Sequence, residues 1–160
     1  MAKPILRHIA RLWTLMEYPW SEADKLKAFK EAGFDGVCWG GSPELRAGCE
    51  KHGLMFVGGM VCGDAADFPR LLQEQKDCGA VHVNVQLAAD EVLAPEALDL
   101  ALTLNREGKR LGLVPGIETH RGTCTETPEK AYALCDAYQQ VTGELLPLSI
   151  DFSHFAVVKH

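Results

Sequence analysis

The sequence lacks concentrated runs of any one kind, and each absence excludes a class of protein. No stretch approaches the roughly 18 continuous apolar residues of a membrane-spanning helix, so no membrane partner is expected. The first residues, Met-Ala-Lys-Pro-Ile-Leu-Arg-His, carry neither the apolar stretch nor the cleavage site of a signal peptide, and a cytoplasmic protein is the expectation. Lys and Arg number 16 against 22 Asp and Glu, giving a net charge of −6, and they are scattered. Nucleic acid is therefore not an expected partner, because phosphate backbones are bound chiefly through clustered basic groups. The six cysteines (Cys38, Cys49, Cys62, Cys78, Cys124 and Cys135) include no CxxC, which predicts reduced thiols. Cys38, Cys78 and Cys135 read as small hydrophobes; Cys62 and Cys124 fall just past strand ends, where packing outweighs a role beside a site.

Phosphate loops are missing too. The first turn after a strand, Trp13 to Trp20, contains no glycine, which argues against a nucleotide-binding open sheet. Gly40-Gly41 and Gly58-Gly59 fit neither GxGxxG nor a P-loop and read as tight turns at strand ends. No Ser/His/Asp relay is evident, since Ser21 and Ser42 read as helix caps.

What is present is a regular rhythm in a chain that is 47% apolar, ample for the core of one domain spanning 1–160. Strands are expected at 9–15, 34–39, 54–60, 80–87, 113–120 and 146–152. Helices between them begin at Ser21-Glu-Ala-Asp24, Ser42-Pro43, about Ala66, Pro95 and Thr127-Pro128-Glu129, and end near Gly33, Gly53, Gly79, Arg110 and Gly143. Repeating βα units predict an α/β fold of the TIM-barrel type. A complete barrel needs about 250 residues, so an incomplete one of about six of eight units is expected. Its first and sixth strands would have open edges, which predicts self-association or a longer polypeptide.

Chemistry gathers at two strand ends. Glu118-Thr-His120 closes the fifth strand and Asp151-Phe-Ser-His154 the sixth, 33 residues on. Barrels build their active sites where strands end, so two carboxylates and two histidines there read as a metal site for a small polar substrate. Glu118 and His120, two apart, can both face the barrel mouth. Asp151 and His154 are three apart, so His154 is expected where the strand has turned into a loop. The competing readings are an exposed acid at Glu118, a turn cap at Asp151, and histidines that only satisfy backbone groups. Among weaker candidates, Trp13 could wall the pocket, and Glu17 is better read as a solvated loop charge. His82, Asn84 and Gln86 share one face of the fourth strand; Gln86, nearer its carboxyl end, is preferred as a pocket residue.

The run Phe34-Asp-Gly-Val37, the strand ending Glu118-Thr-His120 and the Asp151-x-x-His154 element together resemble the xylose isomerase-like TIM-barrel superfamily of sugar and sugar-phosphate isomerases and epimerases. The resemblance covers the whole chain and about the first six of eight βα units. It implies Glu118 and Asp151 as ligands of a divalent metal, with two further ligands from later strands that would lie beyond His160. It implies Glu118 and His154 as catalytic groups, with Trp13, Gln86, His120 and His154 lining the substrate space. Oxygen ligands with few imidazoles suit manganese, magnesium or cobalt, and zinc is admissible. The implied activity is isomerisation or epimerisation of a sugar or sugar phosphate through an enediolate, present here in truncated form. A non-catalytic homologue is the alternative. An abasic-site endonuclease is less favoured, because Val37-Cys-Trp39 and Phe56-Val-Gly58 lack its additional metal-binding histidines.

Overall fold

The computed structural model describes residues 5–158; residues 1–4 and 159–160, the ends of the expected domain and the start of the N-terminal segment read above, lie outside the described residues. Six strands form one parallel sheet in sequential order: β1 (Ile9–Arg11), β2 (Gly36–Trp39), β3 (Met55–Cys62), β4 (His82–Leu87), β5 (Val114–Glu118) and β6 (Leu148–Ser149). The helices are α1 (Glu22–Glu31), α2 (Pro43–His52), α3 (Phe68–Asp77), α4 (Ala94–Leu111), α5 (Pro128–Thr142) and α6 (Phe152–Val158). The sheet curls as an incomplete TIM barrel. Among the described residues β1 pairs only with β2 and β6 only with β5, so both edges are open.

Local chemistry sets the helix boundaries. The Ser42 hydroxyl accepts from the Leu45 N–H, Pro43 occupies the first turn, and Gly53 ends α2 in the left-handed region at φ 61°. Thr127, Pro128 and Gly143 repeat the pattern around α5. Alternation along the strands then sorts side chains between two faces. On β4, Val83, Val85 and Leu87 are buried, while Asn84 and Gln86 are half-buried on the other face. The outward row packs with Leu26, Leu45, Phe68, Leu72 and Leu104 of the helices. Each fully buried aliphatic or aromatic side chain contributes about 1.5–3 kcal/mol to folding.

Three expectations are corrected. The first strand ends at Arg11, and Leu12–Leu15 form a 3-10 turn that places Leu12 and Leu15, three apart, against the core. Gly58-Gly59 lie inside β3, not in a turn. A side chain at Gly58 would meet Gln75 of α3 at 2.8 Å, and one at Gly59 the backbone of Trp39 at 3.3 Å. The sixth strand is only two residues long, because it pairs on one side only, and Phe152 opens a sixth helix not foreseen in the sequence.

Candidate functional site

Inward-facing groups at the carboxyl ends of the strands enclose a cleft of about 720 Å³. Glu118, the last residue of β5, lies at its floor with a side chain only 4% exposed. Three donors hold its carboxylate. Arg11 Nη1 donates to Oε1 at 2.8 Å, and Oε2 accepts from Asn84 Nδ2 at 2.8 Å and Gln86 Nε2 at 3.0 Å. Burial alone would raise the pKa of this carboxyl. The bonds from Gln86 and Asn84 and the charge of Arg11 outweigh it, so the pKa falls below the usual value and the group is ionised at neutral pH.

Asp151 sits between β6 and α6 and divides its work between two oxygens. Its Oδ1 accepts from the backbone N–H of Ser153 at 2.8 Å and from the Ser153 hydroxyl at 2.6 Å, which caps the start of α6. The other oxygen, Oδ2, lies 3.7 Å from His154 Nε2. The Ser153 bonds keep the carboxyl below its ordinary pKa. His154 belongs to the first turn of α6, not to a loop, and helical spacing of three returns it to the side of Asp151. Burial, and then the neighbouring His120, lower its pKa, so the ring is neutral at pH 7. The His120 and His154 rings are in contact, with centroids 3.8 Å apart and planes tilted by 45°. His120 Nδ1 lies 2.6 Å from the Arg121 carbonyl, which can only accept, so Nδ1 is the donor in this contact.

A latch of buried threonines fixes these backbones. Thr125 Oγ1 donates to the Glu118 carbonyl at 2.6 Å, Thr123 Oγ1 donates to the His120 carbonyl at 2.6 Å, and the Asp151 N–H donates to Thr119 Oγ1 at 2.7 Å. The loop after β5 therefore ties the end of β5 to the end of β6. None of these threonines carries a sequence signal that marks it.

One donor atom each from Glu118, Asp151 and His154 lie within 4.8 Å of one another. Two carboxylates are a donor set suited to a hard divalent cation, with the imidazole of His154 beside them. A lone pair of Glu118 Oε1 is the natural opening for such an ion, and Arg11 now stands beside it. The donors present thus fit a divalent metal.

The other candidates divide. Gln86 and His120 line the cleft with Glu118, Asp151 and His154. Trp13 lines it as well but is 70% exposed, and Trp39 borders the same space half-buried. Trp20 instead packs near Tyr18, ring centroids 5.0 Å apart, away from the cleft. Among the cysteines, Cys38 borders the cleft, whereas Cys62 and Cys124 are buried and do not line it. Asn84, ranked behind Gln86 in the sequence, binds the same oxygen as Gln86, and Arg11, whose partner is 107 residues away, was missed.

No family model matches the chain, and no curated protein matches it by sequence. Solved structures do match in three dimensions. A D-allulose 3-epimerase from Methylomonas sp., in complex with D-allulose, superposes with a TM-score of 0.70 at 13% identity, over 95% of this chain and 64% of that one. The fold is that of the xylose isomerase-like TIM barrels. A probable 3-DHS dehydratase from Bacillus anthracis gives a TM-score of 0.67 at 12% identity, over 96% of this chain and 66% of that one. A xylose isomerase-like TIM-barrel protein from Mycobacterium smegmatis, in complex with magnesium, gives 0.62 at 18% identity, over 91% and 64%. The chain thus spans about two thirds of the length of these structures.

Proposed function

We propose that this chain carries the Glu118–Asp151–His154 side of a divalent-metal-dependent isomerase or epimerase acting on a small sugar or sugar phosphate. The observation that carries the reading is the convergence of two carboxylates and a histidine, with ligand atoms within 4.8 Å of one another, at the carboxyl ends of parallel strands. The fold is shared with an epimerase and a dehydratase, and both named reactions can begin with removal of a proton from carbon beside a carbonyl.

Within this reading Glu118 and Asp151 are the metal ligands. Manganese, magnesium, cobalt or zinc bound there would polarise the carbonyl and hydroxyl oxygens of the substrate. Glu118 suits the ligand role better than the acid–base role, because three donors already lower its basicity. His154, unprotonated at neutral pH and beside the carboxylates, is the better proton carrier. His120 Nε2 can hydrogen-bond a sugar hydroxyl, while Gln86 and Asn84 hold the Glu118 carboxylate in place. Trp13 and Trp39 offer apolar faces on which a sugar ring can stack.

The test is calorimetric titration of manganese into the protein beside Glu118→Gln and Asp151→Asn, together with proton NMR of candidate ketoses in deuterated buffer. Metal binding lost in both variants, and metal-dependent exchange at the carbon beside the carbonyl, are expected. Manganese bound equally well by both variants would remove the metal centre. Binding without exchange on any substrate would favour a non-catalytic barrel.

A further inference from the structure

We propose that Arg11 is the resident counter-ion of Glu118, and that it competes by charge with a divalent cation for the Glu118–Asp151–His154 cluster. This rests on the metal-centre reading above. Glu118 Oε2 already accepts two hydrogen bonds, from Asn84 and Gln86, so the unfilled lone pair of the carboxylate belongs to Oε1. The guanidinium of Arg11 sits 2.8 Å from that atom. The two amides are neutral and bind the far oxygen, where they can stay when a cation binds the near one and keep the carboxylate oriented. Arg11 opposes that binding, because it brings a full positive charge to the oxygen the cation needs.

The grip of Arg11 is also the one built to release. Among the described residues only Nη1 is engaged, where a two-pronged contact would be needed to fix the guanidinium rigidly. Its side chain is 47% exposed, so the charge can turn into water without being stranded in the core. Space exists for the movement. Arg11 and Glu118 line both the main cleft and a smaller cavity of about 400 Å³ bounded by Ser149 to Ser153, so the ion pair stands between the two. In the absence of metal the guanidinium neutralises a buried carboxylate that would otherwise be costly to fold. With metal it is a competitor of like charge.

The experiment measures manganese affinity of the metal-free protein by calorimetry and by the electron paramagnetic resonance signal of free manganese, for wild type, Arg11→Met, Arg11→Gln and Arg11→Lys. A unit charge about 6 Å from a divalent ion alters its affinity about tenfold even at the dielectric constant of water. The two neutral variants are therefore expected to bind manganese at least about tenfold more tightly than wild type, and Arg11→Lys to stay close to it. In thermal melts with chelator the neutral variants should unfold earlier than wild type, and manganese should raise their midpoints by more. Should Arg11→Met fail to fold, the comparison of Arg11→Gln with Arg11→Lys decides the same question. Neutral variants that bind manganese no better than wild type, while wild type does bind, overturn the counter-ion role and leave the metal centre intact. No manganese binding by wild type or any variant removes the metal centre, and this proposal with it.

Discussion

Replacing Glu118 by glutamine keeps the size of a side chain that is 4% exposed and removes its charge. The new amide has one oxygen and one NH₂ where the carboxylate had two acceptors. Arg11 has no acceptor, so the amide oxygen must face it, and the NH₂ then points at the donors of Asn84 and Gln86. Both of those amides can flip and accept, which restores the number of hydrogen bonds without their charge assistance. Hydrogen bonds to charged groups contribute about 1.5–3 kcal/mol each and neutral ones about 1, while the buried charge no longer has to be desolvated, so the net loss is set at about 2 kcal/mol. For a chain of this size that lowers the melting midpoint by about 4–8 °C. The pH dependence has a definite sign. Because the folded carboxyl is held below the ordinary value of 4.5, its stabilisation is complete above that value and disappears as pH falls through the lower, folded one. The gap between wild type and Glu118→Gln should therefore be constant from about pH 7 to about pH 5.5 and close in stronger acid. Asp35 and Asp151, whose carboxyls are also lowered by their hydrogen bonds, titrate in both proteins and cancel in the difference. Urea unfolding followed by tryptophan fluorescence in chelator, at several pH values, measures it. A variant as stable as wild type at neutral pH, or a gap that survives in acid, refutes the reasoning.

Other outcomes follow from the same structure. Thr125→Val, isosteric at a fully buried site, leaves the Glu118 carbonyl without its 2.6 Å donor; a loss of about 1–3 kcal/mol in urea titrations is expected, with Thr125→Ser close to wild type. Burial pushes the thiols of Cys49 and Cys124 up to about 11 and raises that of Cys135 as well, but Cys135 is the one cysteine not fully buried, so a thiol reagent at about pH 8 should modify it before the other five in the native protein and all six after denaturation. Rapid native labelling of Cys124 would contradict its placement. The open edges carry exposed apolar groups, Trp13 and Met16 near β1 and Ile150 and Phe152 near β6, so sedimentation at micromolar concentration is expected to show self-association. A monomer that takes up no apolar dye would count against this.

The parts of the fold that were legible in the sequence are those decided within a few residues. Ser42-Pro43 with Gly53, and Thr127-Pro128 with Gly143, delimit their helices because caps satisfy backbone groups locally. The alternation of His82, Asn84 and Gln86 likewise survives, since a strand's two faces are a property of its own backbone. Strand length is different, because a strand extends only where a neighbour pairs with it. The apolar run from Ile9 and the stretch up to Phe152 both look longer in sequence than the β1 and β6 that form at the two edges. The site was legible on the same terms. Glu118 and Asp151 announce themselves as acids ending apolar strands, whereas Arg11 becomes significant only when the curled sheet brings the end of β1 to the end of β5.

Asp151 shows why the two ways of reading a strand-end acid need not compete. A turn cap and a metal ligand look like alternatives when a residue is treated as having one function. A carboxylate has two oxygens with about four acceptor positions between them. In Asp151 the Ser153 N–H and hydroxyl occupy Oδ1, which fixes the side chain's torsions, and Oδ2 is left beside His154. The cap is therefore what orients the free oxygen. It also sets the direction of α6, whose first turn returns His154 to the same point, so a single local hydrogen-bonded turn aligns two of the three groups in the cluster. The third, Glu118, is aligned across the sheet by Asn84 and Gln86, and Thr119 joins the two by receiving the Asp151 N–H. Local capping and long-range strand pairing thus meet at one site, and only the first of them can be read from a short stretch of sequence.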